Sequence, residues 1–467
     1  MKQILIIGGG ITGLASAFYL QEEIHAKNLP YKIKLVEAAD RLGGKIATVR
    51  RDGFTIERGP DSFLARKKPA VKLVEKLGLT DELVRNATGQ SYILVKRKLH
   101  KIPPGSFMGI PTEVSPFLFS RLFSAKGKLR AGVDFVRPKG KEAEDQSLGE
   151  FFRRRFGDEL VEHLIEPLLS GIYSGDIDEM SLMATFPNFY HLEQKHGSII
   201  KGLQKTMPKK PKKNKHEKRP GIFYTIKSGF ETIVEAMEDK LDDDVVLKST
   251  AVDHVEKKEN YYHVLLSDGT VYKADAMIVT TPHQTIANMF SQYEPLKVVE
   301  EIPNSSVANV ALAFDEKAIR KDLEGTGFVV SRNSDFRITA CTWTHRKWPH
   351  STPEGKVLLR SYVGGPYDRD AVDLSEEELV DIVLKDLNKT MKIKGDPEFV
   401  VTSRYKNMMP QYAVGHIERI KKIRSFAEEN LPGVYFAGAS FEGVGVPDCI
   451  EQGEKAVGLV MEYMHNK

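Results

Sequence analysis

Near its start the chain reads Gln3-Ile4-Leu5-Ile6-Ile7-Gly8-Gly9-Gly10-Ile11-Thr12-Gly13-Leu14, an apolar run that breaks into spaced glycines. The run predicts a buried parallel strand, and the apolar residues after Gly13 predict a helix. The G-x-G-x-x-G spacing of Gly8, Gly10 and Gly13 permits a tight turn, a close approach to a pyrophosphate, and tight packing of the helix on its strand. Phosphates would then meet free N–H groups at the helix N-terminus. The stretch therefore predicts a dinucleotide-binding turn.

The residues that follow add two further features of a cofactor site. A second strand, Lys32–Val36, ends at Glu37, about where an acidic residue accepts hydrogen bonds from an adenosine ribose. The next loop, Arg41-Leu42-Gly43-Gly44-Lys45, combines two glycines with cations and suits a second clamp on the pyrophosphate. FAD proteins often carry this clamp, whereas a nicotinamide dehydrogenase does not need it. A glycine-rich turn without a ligand is the alternative, but strand, helix and Glu37 together favour a dinucleotide.

A turn and a basic run come next. After the strand at Phe54–Glu57, the turn Gly59-Pro60-Asp61-Ser62 suits either backbone packing against a flat ring or an ordinary joint between strand and helix. The run Arg66-Lys67-Lys68 follows directly, and such a run is usually a solvated helix start. Because carboxylates are recognised by fixed cations, Lys67 is also a candidate contact for an anionic substrate.

Composition and charge limit the classes of protein to which the chain can belong. Its 467 residues are 41% hydrophobic and 28% charged, as in soluble globular proteins, and a net charge of +4 gives little reason to expect nucleic acid. Cys341 and Cys449 lie far apart without metal-ligand spacing, which favours a reducing cytoplasm and no metal site. The first strand leaves no room for a signal peptide, and no apolar run reaches 18 residues. We therefore expect a cytoplasmic protein that touches a membrane at most peripherally.

The middle of the chain begins with a helical stretch. Between Thr80 and Leu203 strand patterns become rare, and helices are predicted at Ser147–Arg155, behind a capping box of Ser147 and Glu150, and at Asp158–Leu169. The small and apolar residues of Leu168–Asp176 suit a cavity wall. A basic stretch, Pro208–Arg219, then holds seven Lys or Arg and one Glu and predicts a mobile surface loop. Nucleic-acid binding is disfavoured there because aromatic stacking partners are missing.

Strands return from Tyr224 onwards. A helix at Gly229–Leu241 leads into a meander of short strands, which includes Val245–Val255 and a hairpin at Asp268-Gly269. FAD folds insert such a meander, and Val252 would then lie near the adenine. From residue 306 to 406 we predict a mixed sheet with the strands Val307–Phe314, Gly327–Ser331, Ile338–Thr344, Val357–Val363 and Phe399–Tyr405 and one helix, Glu376–Met391, behind a capping box at Ser375. Tyr362 alternates along its strand with Leu358 and Arg360, so it either packs or reaches a pocket.

The last segment repeats the strand–glycine–helix pattern. Val434–Ser440 predicts a strand that enters a glycine-rich turn, and Gly443-Val444-Gly445-Val446-Pro447-Asp448 then opens a helix to Met464, with Asp448 and Glu451 as a capping pattern. Such a helix would direct its N-terminus at the flavin N1/C2 carbonyl, where it stabilises negative charge by up to ~2 kcal/mol. We therefore expect the first and last segments to meet in space.

Together these motifs resemble the amine-oxidase-like flavoproteins. Within that superfamily, the segments Glu166–Tyr173 and Met409–His416 resemble the porphyrinogen oxidases of haem biosynthesis, and the resemblance runs nearly end to end. It is strongest to the soluble enzymes of Gram-positive bacteria, which favour coproporphyrinogen III over protoporphyrinogen IX. Lys45 stands where arginine is common in the superfamily, so the phosphate contact should survive with less bidentate geometry.

The resemblance implies an α/β fold: a Rossmann-like FAD-binding domain of the two-dinucleotide-binding-domain type, a mixed-sheet substrate domain and a helical lobe. We predict FAD binding by residues 1–65, 223–285 and 411–467, a connection to the substrate pocket at 66–84, the helical lobe at 85–205, the basic loop at 206–222 and the substrate sheet at 286–410. The resemblance also implies that FAD binds non-covalently and that oxygen is the electron acceptor. A porphyrinogen would lose six electrons in three rounds, each with release of hydrogen peroxide.

The resemblance implies that no side chain acts as catalytic acid or base, because the flavin N5 accepts hydride and the protein binds and orients. The predicted substrate contacts are Lys67 for a propionate, with Ile172 and Tyr362 against the macrocycle. The predicted FAD contacts are Gly8, Gly9, Gly10, Ile11, Thr12, Gly13, Val36, Glu37, Arg41, Gly44, Lys45, Gly59, Pro60, Asp61, Ser62, Val252, Tyr405, Gly438, Val444, Gly445 and Val446. The predicted partners are the porphyrinogen, molecular oxygen and, transiently, the next enzyme of haem synthesis, but no nucleic acid.

Two other functions stay open at this point. A flavin amine oxidase or a carotenoid-type desaturase shares the scaffold, and Tyr405 with Tyr412 could imitate the aromatic cage of an amine oxidase. A non-catalytic carrier, like the GDP-dissociation inhibitors, uses a related fold, but the intact glycine motif and Glu37 argue against it. A pyridine-nucleotide reductase is disfavoured because the sequence holds no second G-x-G-x-x-G. The spacing of residues does not show whether the preferred substrate is the porphyrinogen with four carboxylates or the one with two.

Overall fold

The computed structural model describes residues 2–142, 144–207 and 221–467. Up to residue 206 the helices and strands are β1 (Lys2–Ile7), α1 (Ile11–Lys27), β2 (Tyr31–Val36), β3 (Thr48–Arg51), β4 (Phe54–Glu57), β5 (Phe63–Leu64), α2 (Lys68–Lys76), β6 (Leu83–Arg85), β7 (Ser91–Val95), β8 (Lys98–Lys101), β9 (Ser106–Phe107), β10 (Ile110–Pro111), α3 (Val114–Phe119), α4 (Ala125–Gly132), α5 (Leu148–Phe156), α6 (Asp158–Leu160), α7 (Glu166–Tyr173), α8 (Leu182–Thr185), α9 (Pro187–His196) and α10 (Ile199–Thr206). The basic stretch Pro208–Arg219 lies outside the described residues. Of the wider loop predicted at 206–222, the structure describes residues 206–207 and 221–222.

From residue 223 onwards the elements are β11 (Phe223–Ile226), α11 (Thr232–Glu238), β12 (Val246–Leu247), β13 (Val252–Lys257), β14 (Tyr262–Leu266), β15 (Val271–Ala274), β16 (Ala276–Val279), α12 (His283–Met289), β17 (Asn304–Asp315), β18 (Gly327–Val330), β19 (Ile338–Trp343), α13 (Thr344–Lys347), β20 (Lys356–Gly364), α14 (Glu376–Met391), β21 (Phe399–Pro410), α15 (His416–Asn430), β22 (Val434–Phe436) and α16 (Val446–Asn466). A π-helical turn at Val161–Ile165 joins α6 to α7.

The chain forms two compact units, each assembled from separate segments. The first comprises Met1–Arg85, Ile222–Pro303 and His416–Lys467, and the second comprises Asn86–Gly221 and Asn304–Gly415. The seven-part division predicted from the sequence is finer than this grouping and stays a prediction.

The first unit is built around a five-stranded parallel sheet in the order β12-β2-β1-β16-β22. In β1, residues Ile4–Ile6 are fully buried because the sheet carries an apolar cluster on each face. One cluster contains α1, α11 and α16, and the other contains the meander β13-β14-β15 with α12. This is why β1 reads as a continuous apolar run instead of an alternating one.

The meander differs in one detail from the sequence prediction. Val245–Val255 is not one strand, because Ser249 takes a left-handed backbone (φ +55°) between β12 and β13. β12 pairs with β2 in the parallel sheet, whereas β13 leaves it and pairs with β14. The predicted hairpin at Asp268-Gly269 is confirmed: β14 and β15 are antiparallel, and Gly269 has φ +85°.

The second unit is built around a seven-stranded mixed sheet in the order β21-β17-β20-β19-β18-β7-β8. All five predicted strands are present as β17 to β21, and α14 covers the predicted residues with its capping box intact. The hairpin of β7 and β8 was missed, because it lies in the stretch that the sequence pattern assigned to helices. β7 pairs in parallel with β18, more than 230 residues away, which local pattern does not reveal.

The helical part of the second unit is held together by a buried ion cluster. Ser147 Oγ caps α5 as predicted, by accepting from Glu150 N at 3.2 Å. At the other end of α5, Arg155 is fully buried and its guanidinium donates to Asp134 Oδ1 at 2.6 Å and to Glu193 Oε1 at 3.1 Å. Asp134 also accepts from Ser198 Oγ at 2.5 Å. These paired charges join α5, α9 and the start of α10.

Among residues 2–142, 144–207 and 221–467, no helix combines the length and apolar character that a membrane crossing needs. In the same residues, His, Cys, Asp and Glu do not gather into a group of three or more that could hold a metal ion.

Candidate functional site

The glycine turn after β1 has the geometry that its spacing predicts. Gly8 has φ +102°, and its N–H donates to Val36 O at 2.8 Å. A Cβ on Gly13 would lie 1.9 Å from Gly8 O, so only glycine lets α1 pack this closely on the turn. The hydroxyl of Thr280, on the neighbouring strand's end, donates to the carbonyls of Ile7 and Gly8, each at 3.0 Å. The turn is therefore rigidly held from two sides.

The N-terminus of α1 is an open cradle. Gly10 is its N-cap, and no side chain of the described residues caps the first N–H groups. A Cβ on Gly10 would meet no heavy atom of the described residues within 4 Å, apart from its chain neighbours. The first turn carries no acidic side chain, so the positive end of the helix dipole stays available for an anion. The open space, the uncapped N–H groups and the helix dipole thus fit a pyrophosphate here. This is the place where the sequence predicts phosphate contacts from Gly10, Ile11 and Thr12.

Glu37 lies at the end of β2 and links the neighbouring loops. Its Oε2 accepts from Gly9 N at 2.5 Å, and its Oε1 accepts from Ala39 N at 2.8 Å. A carboxylate has further lone pairs, so these bonds leave capacity for ribose hydroxyls. The backbone carbonyl of Glu37 accepts from Thr250 N at 3.0 Å, two residues before Val252. Val252 itself is half-buried at the start of β13, and its predicted place near an adenine stays a prediction.

The loop at residues 41–45 packs directly on the glycine turn. Gly43 N donates to Gly9 O at 2.8 Å, and a Cβ on Gly44 would lie 3.3 Å from Gly10 Cα. The Arg41 guanidinium donates to Gly44 O at 2.9 Å and to Glu231 Oε1 at 3.0 Å, and also to Ile46 O. Arg41 therefore shapes the loop in this structure; its predicted contact with a phosphate stays a prediction.

Lys45 and Cys449, from opposite ends of the chain, lie close enough for each to affect the pKa of the other. Burial lowers the pKa of the Lys45 ammonium, and the nearby Cys449 partly opposes that shift. Burial likewise raises the pKa of the Cys449 thiol to about 11, although its contacts with Thr12 and Lys45 act in the other direction. Cys449 is therefore a thiol, not a thiolate, at neutral pH.

The turn at residues 59–62 connects β4 to β5 in the first unit. Just before it, Glu57 is buried and accepts from Thr48 Oγ1 at 2.9 Å and from Phe230 N at 2.8 Å, which fixes the end of β4. Within the turn, Ser62 Oγ donates to Asp61 Oδ1 at 2.7 Å. The turn is thus anchored on its strand side; its role against a ring stays a prediction.

The expected meeting of the first and last segments is confirmed. Gly438 has φ +113°, and a Cβ on it would lie 3.5 Å from Thr12 Oγ1. On α16, a Cβ on Gly453 would lie 2.7 Å from Thr12 O, and Ser16 Oγ donates to Gly453 O at 3.4 Å. The two glycine-rich turns therefore border one region of the first unit.

The start of α16 differs from the predicted capping pattern. Gly445 is the N-cap, and among the described residues no side chain caps it, so Asp448 and Glu451 do not act as expected. Instead, Asp448 Oδ1 accepts from Lys67 Nζ at 2.5 Å. Among the described residues no side chain caps the first-turn N–H groups of α16, so this helix end also suits negative charge, part of which Asp448 itself already supplies. Val444 and Val446 flank that end; their predicted contacts with FAD stay predictions.

Two buried histidines, which sequence reasoning missed, hold the loop between β22 and α16. His283 lies between Ser440 Oγ and Ile302 O, both 3.0 Å from its ring nitrogens, and His416 Nε2 lies 3.0 Å from Phe441 O. Burial lowers the pKa of His283 to about 4. Isolated histidines carry no motif, so only the contacts of distant segments could identify them.

The predicted residues outside this group lie in the second unit. Ile172 sits on α7 and is 46% exposed, so an apolar ligand can reach it. Tyr362 sits on β20, opposite Asn309 and Ala340, with the Arg360 guanidinium 5.8 Å from its ring centre. Tyr405 lies on β21, opposite Val307. The predicted FAD residues thus belong to the first unit, except Tyr405. Of the predicted substrate contacts, Lys67 belongs to the first unit, and Ile172 and Tyr362 belong to the second.

A second feature that the sequence did not reveal is a charge cluster around Arg332 in the second unit. Arg332 donates to Glu166 Oε1 at 2.5 Å, to Asp176 Oδ1 at 3.1 Å and to the hydroxyl of Tyr367. Burial raises the pKa of Glu166 despite the attraction of Arg332. The cluster ties both ends of α7, the helix of Ile172, to the turn after β18.

The chain is similar to known proteins over nearly its whole length. Residues 11–461 match the family described as flavin containing amine oxidoreductase. The coproporphyrinogen III oxidase of Bacillus subtilis (strain 168) is 54% identical over 463 residues, 99% of this chain and 98% of that protein. The coproporphyrinogen III oxidase of Staphylococcus aureus is 45% identical, over 97% of this chain and 98% of that protein. The solved structure of a candidate protoporphyrinogen oxidase from Exiguobacterium sp. 255-15 matches with a TM-score of 0.87 and 38% identity, over 99% of both chains.

Proposed function

Because the chain belongs to the family of flavin-containing amine oxidoreductases, we propose that it is an FAD-dependent oxidase of haem biosynthesis that converts coproporphyrinogen III to coproporphyrin III. The observation that carries this proposal is the end-to-end similarity to two bacterial coproporphyrinogen III oxidases. Protoporphyrinogen IX is a second substrate of the same chemistry. Each porphyrinogen loses six electrons and six protons, and three molecules of oxygen become three of hydrogen peroxide.

The residues of the first unit fit FAD. The open space beside Gly10 and the uncapped start of α1 suit the pyrophosphate, Glu37 suits the ribose, and the uncapped start of α16 suits the electron-rich edge of the flavin ring. When bound, the flavin supplies a two-electron acceptor that oxygen reoxidises. We infer non-covalent binding, which fits the state of the two cysteines: both are buried, and burial raises the pKa of Cys341 to about 12 and of Cys449 to about 11, which leaves neither as a thiolate.

The chain's own side chains bind and orient in this proposal. Lys67 would hold a substrate carboxylate as a fixed cation, and Ile172 and Tyr362 would pack against the macrocycle. No acid or base is assigned, because aromatisation drives the reaction and the protein mainly excludes side reactions.

The burial of Tyr412 argues against an amine oxidase, which would need an aromatic cage around its substrate. Tyr412 is 1% exposed and its ring packs against Tyr173 at 5.6 Å between ring centres. A tyrosine buried in this way cannot present its face to an amine substrate. Tyr405 alone makes no cage.

Steady-state kinetics on both porphyrinogens, with peroxide measured alongside, tests the proposal. We expect the purified holoenzyme to produce fluorescent porphyrin from both, with three peroxides per porphyrin and a higher kcat/KM for coproporphyrinogen III. Putrescine and other simple amines serve as control substrates and should release no peroxide. Turnover of amines without turnover of either porphyrinogen would overturn the proposal.

A further inference from the structure

The cation that the proposed function assigns to the substrate already has a carboxylate partner. In the run Arg66-Lys67-Lys68, Arg66 and Lys68 are exposed, whereas Lys67 is half-buried. Its Nζ donates to Asp448 Oδ1 at 2.5 Å, and 39% of the Lys67 side chain and 28% of the Asp448 side chain stay exposed. The pair is therefore reachable by a ligand.

Asp448 is the more firmly held member of the pair. It lies in the first turn of α16, where the helix dipole stabilises a negative charge. The turn before the helix folds against its side chain: a Cβ on Gly443 would lie 2.8 Å from Asp448 Cβ, and one on Gly445 would lie 2.8 Å from Asp448 Oδ2. Lys67 reaches this fixed carboxylate with a long, flexible chain. Asp448 is therefore the member expected to stay in place when Lys67 turns to another partner.

We propose that Asp448 is an internal competitor, a carboxylate that occupies Lys67 until a substrate carboxylate displaces it and that thereby lowers the enzyme's affinity for carboxylate substrates. This inference rests on the proposed function, in which Lys67 binds a propionate. Part-exposed ion pairs contribute little to stability, so a second carboxylate can take over the ammonium without a large cost. This competition weakens binding, so Asp448 sets the substrate concentration at which the enzyme works.

The first test is Asp448→Asn, which keeps the size of the side chain and removes its charge. We expect the KM for coproporphyrinogen III to fall about three- to fivefold, with a smaller change in kcat. Glu451→Gln is the matched control. Glu451 lies three residues after Asp448 on α16 and also carries a carboxylate, but its partner is Lys455, at 3.6 Å. Its KM should stay that of the unaltered enzyme. Asp448→Ser is a second variant without the charge, and the FAD absorption spectrum confirms folding of each.

The second test is the same change in a Lys67→Met background. If Asp448 acts by occupying Lys67, Asp448→Asn should no longer lower KM there. Three results would overturn the inference: a KM that rises in Asp448→Asn, an equal fall of KM in the Lys67→Met background, or an equal fall in Glu451→Gln. The first would make Asp448 a positioning residue for Lys67.

A binding titration separates this inference from the proposed function. Coproporphyrin, the oxidised product with the same four carboxylates, is titrated into each holoenzyme and followed by its fluorescence. Asp448→Asn should bind it about three- to fivefold more tightly, and the double variant should bind like Lys67→Met. An enzyme that oxidises no porphyrinogen would refute the proposed function, whereas unchanged coproporphyrin affinity in Asp448→Asn would refute the competitor.

Discussion

Gly10 and Gly13 lie three residues apart in the same turn, but a methyl group would meet different surroundings at each. At Gly13 it would clash with Gly8 O at 1.9 Å and with Thr280 Oγ1 at 2.6 Å. At Gly10 it would enter open space, and the backbone there (φ −65°, ψ 173°) suits any residue. The fold thus depends on Gly13, and the proposed cofactor site depends on Gly10.

Alanine at each position should separate these roles. Gly13→Ala should destabilise the apoprotein by about 1–3 kcal/mol because of overpacking against backbone. Gly10→Ala should leave the apoprotein's stability unchanged but lower its FAD content, because the methyl group occupies the predicted phosphate space. Urea unfolding of the apoproteins and the ratio of FAD to purified protein measure the two effects. Full FAD content in Gly10→Ala would place the pyrophosphate elsewhere.

His283 makes stability depend on pH. Its pKa falls to about 4 in the folded protein, from about 6.5 in an unfolded chain, so the unfolded state binds the proton more tightly. The stabilisation is therefore present above pH 6.5 and is lost as pH falls towards 4. Between pH 7 and pH 5 the folded state should lose about 2 kcal/mol through this group. Urea unfolding at both pH values, for the unaltered protein and His283→Gln, measures it: the variant should show a smaller loss. Equal losses would show that His283 does not titrate on unfolding.

At this scale, the residues that carry a motif could be predicted, and those that act through distant contacts could not. Gly8, Gly13 and Glu37 occupy the places that their spacing implied. His283 and Arg332 gained their partners only through folding, since Ser440 and Glu166 lie more than 150 residues away from them. The sequence predicts Asp448 as a cap, because an acidic residue at a helix start usually is one, but in the structure its carboxylate accepts from Lys67 instead.

Helix α14 shows what a local signal can fix at the scale of an element. Its capping box pairs Ser375 Oγ with Glu378 N at 3.1 Å and Glu378 Oε2 with Ser375 N at 2.8 Å. Ser375→Ala should therefore cost about 1 kcal/mol of unfolding free energy. Lys385→Ala, at an exposed position of the same helix, is the control and should change stability by a few tenths of a kcal/mol. Urea unfolding compares them, and equal values would show that the cap adds nothing.

Elements were predicted well where the pattern is local and poorly where pairing is long-range. The strands β17 to β21 and helix α14 have strong periodicity, and their bounds differ from the predicted ones by up to five residues. β7 and β8 are short, and their turn at Lys96 (φ +58°) carries lysine and arginine instead of glycine or asparagine. The usual hairpin signal is absent from that turn. Instead, β7 is held in place by its parallel pairing with β18.

On the scale of the molecule, the discontinuous layout of the first unit was predictable in outline. Two glycine-rich motifs at the ends of the chain implied that the ends meet, and Gly438, Gly453 and Thr12 do lie together. The pairing of β16 with both β1 and β22 places the middle segment between them. The exact borders of each unit depend on packing that no single stretch of sequence encodes.

The sheet of the first unit has a consequence for synthesis on the ribosome. β1 emerges first, but its neighbour β16 and the covering helix α16 follow only after hundreds of further residues. At about 5–20 residues per second, about 20 to 75 seconds separate residue 85 from the last helix. During that interval the nascent chain exposes an unpaired strand edge and the apolar side of α1. We expect the chaperones that shield nascent apolar segments to be needed more for this chain than for one whose sheet closes early.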